Sequence, residues 1–254
     1  MPFLTVTNMI AKPQDPLPSK KTYCLDADGT TIKVIDVKKE FERSYLILFF
    51  FTLGNQSDSD EVLKFSASLE KFNELRCKVV GVTSDSPLAI KRWMEKSSEE
   101  GGFGKVLGYD VVSDKDLSLS MELGVARTCG LPARATFIIS PNGLIRYSMI
   151  QRSEVSRNIK ELLRLVSAFK TSDETGMATP AGWQPGDKDL IPTDYTEKTE
   201  YYRKKYGEEK KLKADIHEGV NEQSSDVATT SSNSDQIKEN KKEEKTELED
   251  FHYS

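Results

Sequence analysis

The thiol and imidazole side chains are few: three cysteines, Cys24, Cys77 and Cys129, and two histidines, His217 and His252. The cysteines are odd in number, widely separated and contain no C-x-x-C pair, which argues against a disulfide framework or a structural zinc site. Both histidines lie in a polar C-terminal stretch, so the part of the chain able to fold has no imidazole for a triad, a Cys-His pair or a His-ligated metal. No metal or cofactor is expected. Cys77 adjoins the apolar run Lys78 to Thr83 and reads as a buried structural thiol. Cys24, in TYCLDADGTTIKVID, reads as a packing or surface residue of a hairpin. Cys129, in ARTCGLPAR, lies five positions before Arg134 and is the one thiol that could approach a site built there. Chance proximity is the simpler reading.

The elements that would position these groups alternate between strand and helix. Ser44 to Phe51 is a continuous apolar run, as expected of a strand buried on both faces. Asp60 to Arg76 places Val62, Phe65, Leu69 and Phe72 on one helical face. Lys78 to Thr83 is the next strand, and Ser86 followed by Pro87 makes a good start for a helix running to about Lys96. Asp110 to Ser113 is a short strand, with Ser113 expected to cap a helix that stops at Gly124. Thr136 to Ser140, a Pro-Asn-Gly turn and Leu144 to Met149 form a hairpin. Ser153 to Lys170 closes the domain as a helix, with Val155, Ile159, Leu162, Leu163, Val166 and Phe169 on its apolar stripe. This order predicts a three-layer α/β fold around a largely parallel sheet.

With 37% hydrophobic and 30% charged residues, the 254-residue chain holds one sizeable core plus a poorly packed remainder. The net charge of -5 gives no reason to expect a nucleic-acid or anionic-membrane partner. The longest apolar run, Tyr45 to Leu53, is far shorter than the roughly 20 residues a membrane helix needs. No charged n-region or cleavage site suggests secretion, so a cytoplasmic location is expected. From about residue 208 to 254 the chain is polar and charged without apolar periodicity, and is expected to be a disordered tail. Gly101 to Gly104 lacks the context and the Lys-Ser/Thr of a phosphate loop.

Several strings, in order from about Ile10 to Lys204, resemble the typical two-cysteine peroxiredoxins: SYLILFFFTL, EVLKFSASLEKFNELRCKVVGVTSDS, Gly101-Gly102-Phe103-Gly104, RATFIISPNGLIR, SDETG followed by PAGWQPG, and Tyr201-Tyr202. The resemblance implies a thioredoxin-like three-layer fold with a central mixed sheet over residues 1–170, and an extended C-terminal arm over 171–207 before the tail. It also implies thioredoxin-dependent peroxide reduction, by a thiolate that a nearby arginine makes more acidic. At the nucleophile's position this chain has no cysteine. The interval reads Gly54-Asn55-Gln56-Ser57-Asp58-Ser59-Asp60-Glu61 and is one residue short, so the position falls on Asp58 counted back from Glu61 or on Ser59 counted forward. The resolving cysteine's place, immediately before Pro-Ala-Gly-Trp, is Thr179. Arg134 and Arg146 match the family's two pocket arginines and Glu61 its glutamate. With Asp58 and Asp60 close by, a salt-bridged pocket is expected in which Arg134 is neutralised.

Neither serine nor aspartate can pass through the reversible sulfenic acid on which the family's cycle depends. The expectation is therefore a catalytically degenerate member without thiol peroxidase turnover, serving as an assembly, regulatory or chaperone-like subunit. The family implies homodimers or larger rings, with mixed assembly with active peroxiredoxins as a further expectation. The competing reading is a residual thioredoxin-dependent peroxide reductase using a non-standard cysteine such as Cys129.

Overall fold

The computed structural model describes residues 9–152 and 154–207. Seven strands form one mixed sheet in the order β2-β1-β5-β4-β3-β6-β7. The strands are β1 (Lys21–Leu25), β2 (Ile32–Asp36), β3 (Tyr45–Phe50), β4 (Cys77–Thr83), β5 (Asp110–Ser113), β6 (Ala135–Ile139) and β7 (Ile145–Ile150). Only β3 with β4 and β4 with β5 run parallel; the other four pairings are antiparallel. The sheet is thus less parallel than strand-helix alternation suggested, because the two hairpins, β1–β2 and β6–β7, supply antiparallel strands at its edges.

Central strand β3 is buried at every residue. Its alternate side chains enter opposite layers, as the two-residue period of a strand requires. Tyr45, Ile47 and Phe49 join Phe65, Phe72, Leu162 and Val166 on one face, whereas Leu46, Leu48 and Phe50 join Val112, Leu119 and Phe137 on the other. Each fully buried aromatic or aliphatic side chain contributes about 1.5–3 kcal/mol. Phe49 stacks on Phe65 with ring centroids 4.1 Å apart. Gly81 of β4 makes room for these rings, since a Cβ there would stand 2.9 Å from Cε1 of Phe51.

Helices α1 (Val37–Glu40), α2 (Gln56–Ala67), α3 (Leu69–Glu74), α4 (Pro87–Glu95), α5 (Ser118–Glu122) and α6 (Ile159–Thr175) cover the sheet. Three of the expected boundaries move, each for a capping reason. The helix expected from Asp60 begins at Gln56, where the Asn55 side chain accepts the Ser57 N–H at 3.2 Å, and it divides at Ser68 into α2 and α3. Ser113 caps nothing: α5 starts at Ser118, and the carboxylate of Asp114 accepts the N–H groups of Leu119 (2.9 Å) and Ser120 (2.8 Å). The closing helix starts six residues late, at Ile159, because Asn158 accepts the Glu161 N–H at 3.1 Å, and it continues to Gly176 at φ +69°. Val155 is consequently 65% exposed rather than part of the stripe.

The chain divides into two compact units, one through Ile191 and one from Pro192. In the first, residues 176–191 return along α6: Ala178 and Ile191 exchange backbone hydrogen bonds at 2.8 Å, and buried Trp183 accepts through its carbonyl from Arg164 Nη1 at 3.1 Å. In the second, residues 195–207 are helical. The expected tail, 208–254, lies outside the described residues.

Candidate active-site pocket

A cavity of about 490 Å³ opens where β3 ends and α2 begins, lined among others by Thr52, Asp58, Arg127, Arg134 and Arg152. The strand leaves the sheet at Phe51, turns through Gly54 at φ +82°, and enters α2 at its Asn55 cap. Asp58 therefore sits in the first turn, where a negative charge is favoured by the helix dipole. One oxygen, Oδ2, accepts the Thr52 N–H at 3.0 Å, and the other, Oδ1, lies 3.3 Å from Nη1 of Arg134. Asp58 is only 4% exposed. Burial pushes its carboxyl up from the ordinary range, against the opposing pull of the Thr52 N–H and of the Arg134 and Arg157 charges.

Glu61, one turn further along α2, is 1% exposed and receives two arginines. Its Oε1 accepts from Nη2 of Arg134 and from the backbone N–H of Arg157, and its Oε2 accepts from Nη1 of Arg157. Arg157 also donates to Thr136 Oγ1 (2.7 Å) and to the carbonyls of Phe50 (2.6 Å) and Ala135 (2.9 Å). Burial lowers its pKa, and Glu61 is the chief influence holding it up. Arg134 also donates to Ser57 Oγ at 3.0 Å. Two carboxylates and two guanidinium groups thus form a floor in which opposite charges balance, the Glu61 side by hydrogen bonds and the Asp58 side by an ion pair whose Oδ1 has no hydrogen-bond partner.

The residues singled out in the sequence are divided by this geometry. Asp58, Glu61 and Arg134 meet at the floor. Ser59 does not: its hydroxyl donates to the Asn55 carbonyl at 3.3 Å, within its own helix. Of the two ways to count the nucleophile's position, the backward count to Asp58 is the one that points into the cavity. Asp60 is also misplaced by the sequence reading, since it faces outward and pairs with Lys64 at 2.6 Å, one helical turn on. Thr179 is half-buried in the segment after α6 and does not line the cavity. Cys129 is exposed in the loop after α5; Arg127, two residues before it, lines the cavity, but Cys129 does not. Cys24 and Cys77 are buried, and desolvation pushes both thiols up to about 12.

Arg146 is a further correction. It pairs with Asp173 of α6 at 2.8 Å and lies over the ring of Phe169, while Tyr45 donates to the same aspartate. Arg134 and Arg146 stand at opposite ends of the β6–β7 hairpin, whose register sets Ala135 against Ile150 and Ile139 against Ile145. About five strand residues, or roughly 17 Å, separate the two ends. The second arginine of the floor is Arg157, which the expected helix from Ser153 had concealed. The signal for it was Asn158-x-x-Glu161, a capping pattern that starts the helix one residue after this arginine.

The cavity can bind and orient polar groups, but none of the residues lining it is a thiol or an imidazole. Among the described residues no cluster of His, Cys, Asp and Glu could hold a metal ion, and no helix is long and apolar enough to cross a membrane.

A model of the AhpC/TSA family matches residues 13–148, and a model of the C-terminal domain of 1-Cys peroxiredoxin matches residues 168–208. Peroxiredoxin-2 of Cricetulus griseus is 36% identical over 185 residues, covering 70% of this chain and 92% of its own. A putative peroxiredoxin of Pyropia yezoensis is 34% identical over 173 residues, with 67% and 84% covered. Among solved structures, the reduced 2-Cys peroxiredoxin of Plasmodium vivax superposes with a TM-score of 0.68 at 22% identity, covering 72% of this chain and 94% of that one, which bears on fold alone. Matched along both its sheet-forming part and the segment that follows it, this chain belongs to the peroxiredoxin family.

Proposed function

We propose that this peroxiredoxin does not turn over peroxide by the two-cysteine route and serves as a non-catalytic subunit in assembly, regulation or chaperoning. One observation carries the reading: the Asp58 carboxylate, hydrogen-bonded to Thr52 and paired with Arg134, occupies the place in the pocket to which the nucleophile's position counts. A carboxylate has no sulfur lone pair to attack an O–O bond and no reversible oxidised state. The only thiols are two buried groups raised to about 12 and one exposed loop cysteine outside the cavity. Thr179, in place of a resolving cysteine, further supports it. The natural setting for such a subunit is a cytoplasmic homodimer or larger ring, alone or mixed with active peroxiredoxins.

The second reading, peroxide reduction through Cys129, is favoured by that residue's exposure and by Arg127, a pocket-lining cation two positions away. Peroxide titration of the fully reduced protein, followed by peptide mass spectrometry, separates the two. Oxidation of all three cysteines at or below the rate of a free thiol is expected. Rapid, selective oxidation of Cys129 would overturn the non-catalytic reading and establish the second.

A further inference from the structure

The pocket floor leaves one acceptor without a donor. Oδ1 of Asp58, on a residue 4% exposed, has an ion pair with Nη1 of Arg134 at 3.3 Å but, among the described residues, no hydrogen bond. A buried oxygen in that state is costly, and native proteins seldom keep one without a use. Asp58 lines the cavity of about 490 Å³, so the cavity is the side from which a donor can be supplied. A second observation concerns the three arginines that line the same cavity. Arg134 is taken up by Asp58 and Glu61, and Arg152 by Glu154 at 2.6 Å. Arg127 is exposed and, among the described residues, has neither an ion pair nor a side-chain hydrogen bond. With the floor balanced and Arg152 matched by Glu154, the positive charge of Arg127 is left over.

The rest of the lining is in part apolar, with Pro132, Ala133 and Ile150 forming a wall. Apolar walls with a few polar groups are what orient a small ligand, and the volume lies within the roughly 300–1,000 Å³ of small-molecule sites. These groups restrict the ligand's chemistry. The donor that meets Asp58 must be neutral, because a cation would add a third positive charge beside Arg134 and Arg157. A hydroxyl meets that condition, an aryl ring suits the wall, and one negative charge matches Arg127. We propose that the cavity binds a small hydroxyaryl carboxylic acid, its hydroxyl donating to Oδ1 of Asp58, its ring against Pro132, Ala133 and Ile150, and its carboxylate paired with Arg127. The inference rests on the reading of this pocket as one without a reacting thiol; the ligand it calls for has no O–O bond.

The test is isothermal titration of the full, reduced chain, without peroxide, with 4-hydroxyphenylacetate, phenylacetate and 4-hydroxyphenylethanol. The first is expected to bind saturably at one site. Phenylacetate, which leaves Oδ1 unpaired, should bind at least tenfold more weakly. The alcohol, which lacks the carboxylate, should lose about threefold, since Arg127 is in water. Asp58→Ala should bring 4-hydroxyphenylacetate and phenylacetate within twofold of each other, and Arg127→Gln should do the same for 4-hydroxyphenylacetate and the alcohol. Should Asp58→Ala fail to fold, the three ligands on the unaltered chain and Arg127→Gln decide the matter. Absence of saturable binding by 4-hydroxyphenylacetate would overturn the proposal, as would an acid-alcohol difference indifferent to Arg127→Gln. So would equal affinity for phenylacetate, which would mean that water serves Oδ1. Because no peroxide enters the titration, these outcomes leave the non-catalytic reading standing; that reading fails by rapid oxidation of Cys129, which the titration does not involve.

Discussion

Arg134 and Arg146 begin from similar sequence settings, at the two ends of one β-hairpin, and acquire opposite physical circumstances. Arg134, with Arg157, faces Glu61 in a site whose paired side chains are at most 6% exposed. Arg146 faces Asp173 across a contact in which the aspartate side chain is 39% exposed. In the first region both arginines depend on Glu61, since its removal would strand them without water. In the second, water can replace either partner at little cost. The same residue types therefore make an obligatory network at the pocket and an optional contact at the turn end of the hairpin.

The largest effect that could break this contrast comes from Glu61→Ala, which removes the shared acceptor of Arg134 and Arg157. Urea unfolding should show a loss of about 3–5 kcal/mol, the range for breaking a buried ion pair. A loss under 1 kcal/mol would mean that the floor is hydrated and no different in kind from the Arg146 contact.

A sharper distinction concerns Asp58, whose folded-state pKa is raised chiefly by burial. A raised carboxyl pKa means that the folded protein holds this proton more tightly than the unfolded chain. Asp58 therefore imposes no cost below the ordinary carboxylate value of about 4, and an increasing cost as pH rises from there through its folded pKa. Asp58→Asn should flatten that part of the stability-pH curve and change stability at pH 7 by less than about 1 kcal/mol, with Glu61 still holding Arg134. A loss of 3 kcal/mol or more would make Asp58, rather than Glu61, the principal partner of Arg134.

Smaller again is the change expected for Asp173→Asn, under about 1 kcal/mol and diminishing further in 1 M salt. Among the thiols, a chromogenic disulfide reagent at pH 8 should modify one group rapidly in the native protein, Cys129. Cys24 and Cys77, raised to about 12, should react only on the timescale of unfolding. Fast modification of two groups would show that one of the buried strands opens readily.

Much of the architecture could be read from local pattern. The uninterrupted run Tyr45 to Phe50 specifies a strand with neighbours on both faces, and Ser86-Pro87 starts α4 at the position where its side-chain cap forms, 3.2 Å from the Ala89 N–H. These are properties of a residue and its near neighbours. The strings that mark the family were equally legible, and so was the lack of a cysteine at either counted position, Asp58 or Ser59, because a side chain's chemistry is written in its identity. The partner of each charge was not. Arg157 meets Glu61 across 96 positions, and Arg146 meets Asp173 rather than the pocket, because the hairpin register and the late start of α6 determine which ends of which elements converge. The sequence alone determined that no cysteine stands between Gly54 and Glu61. Only the tertiary structure decided that Asp58 is buried against an arginine while Asp60, two residues on, is in water: the backbone enters α2 so that one faces the core and the other solvent, and desolvation makes one charge consequential and leaves the other inert.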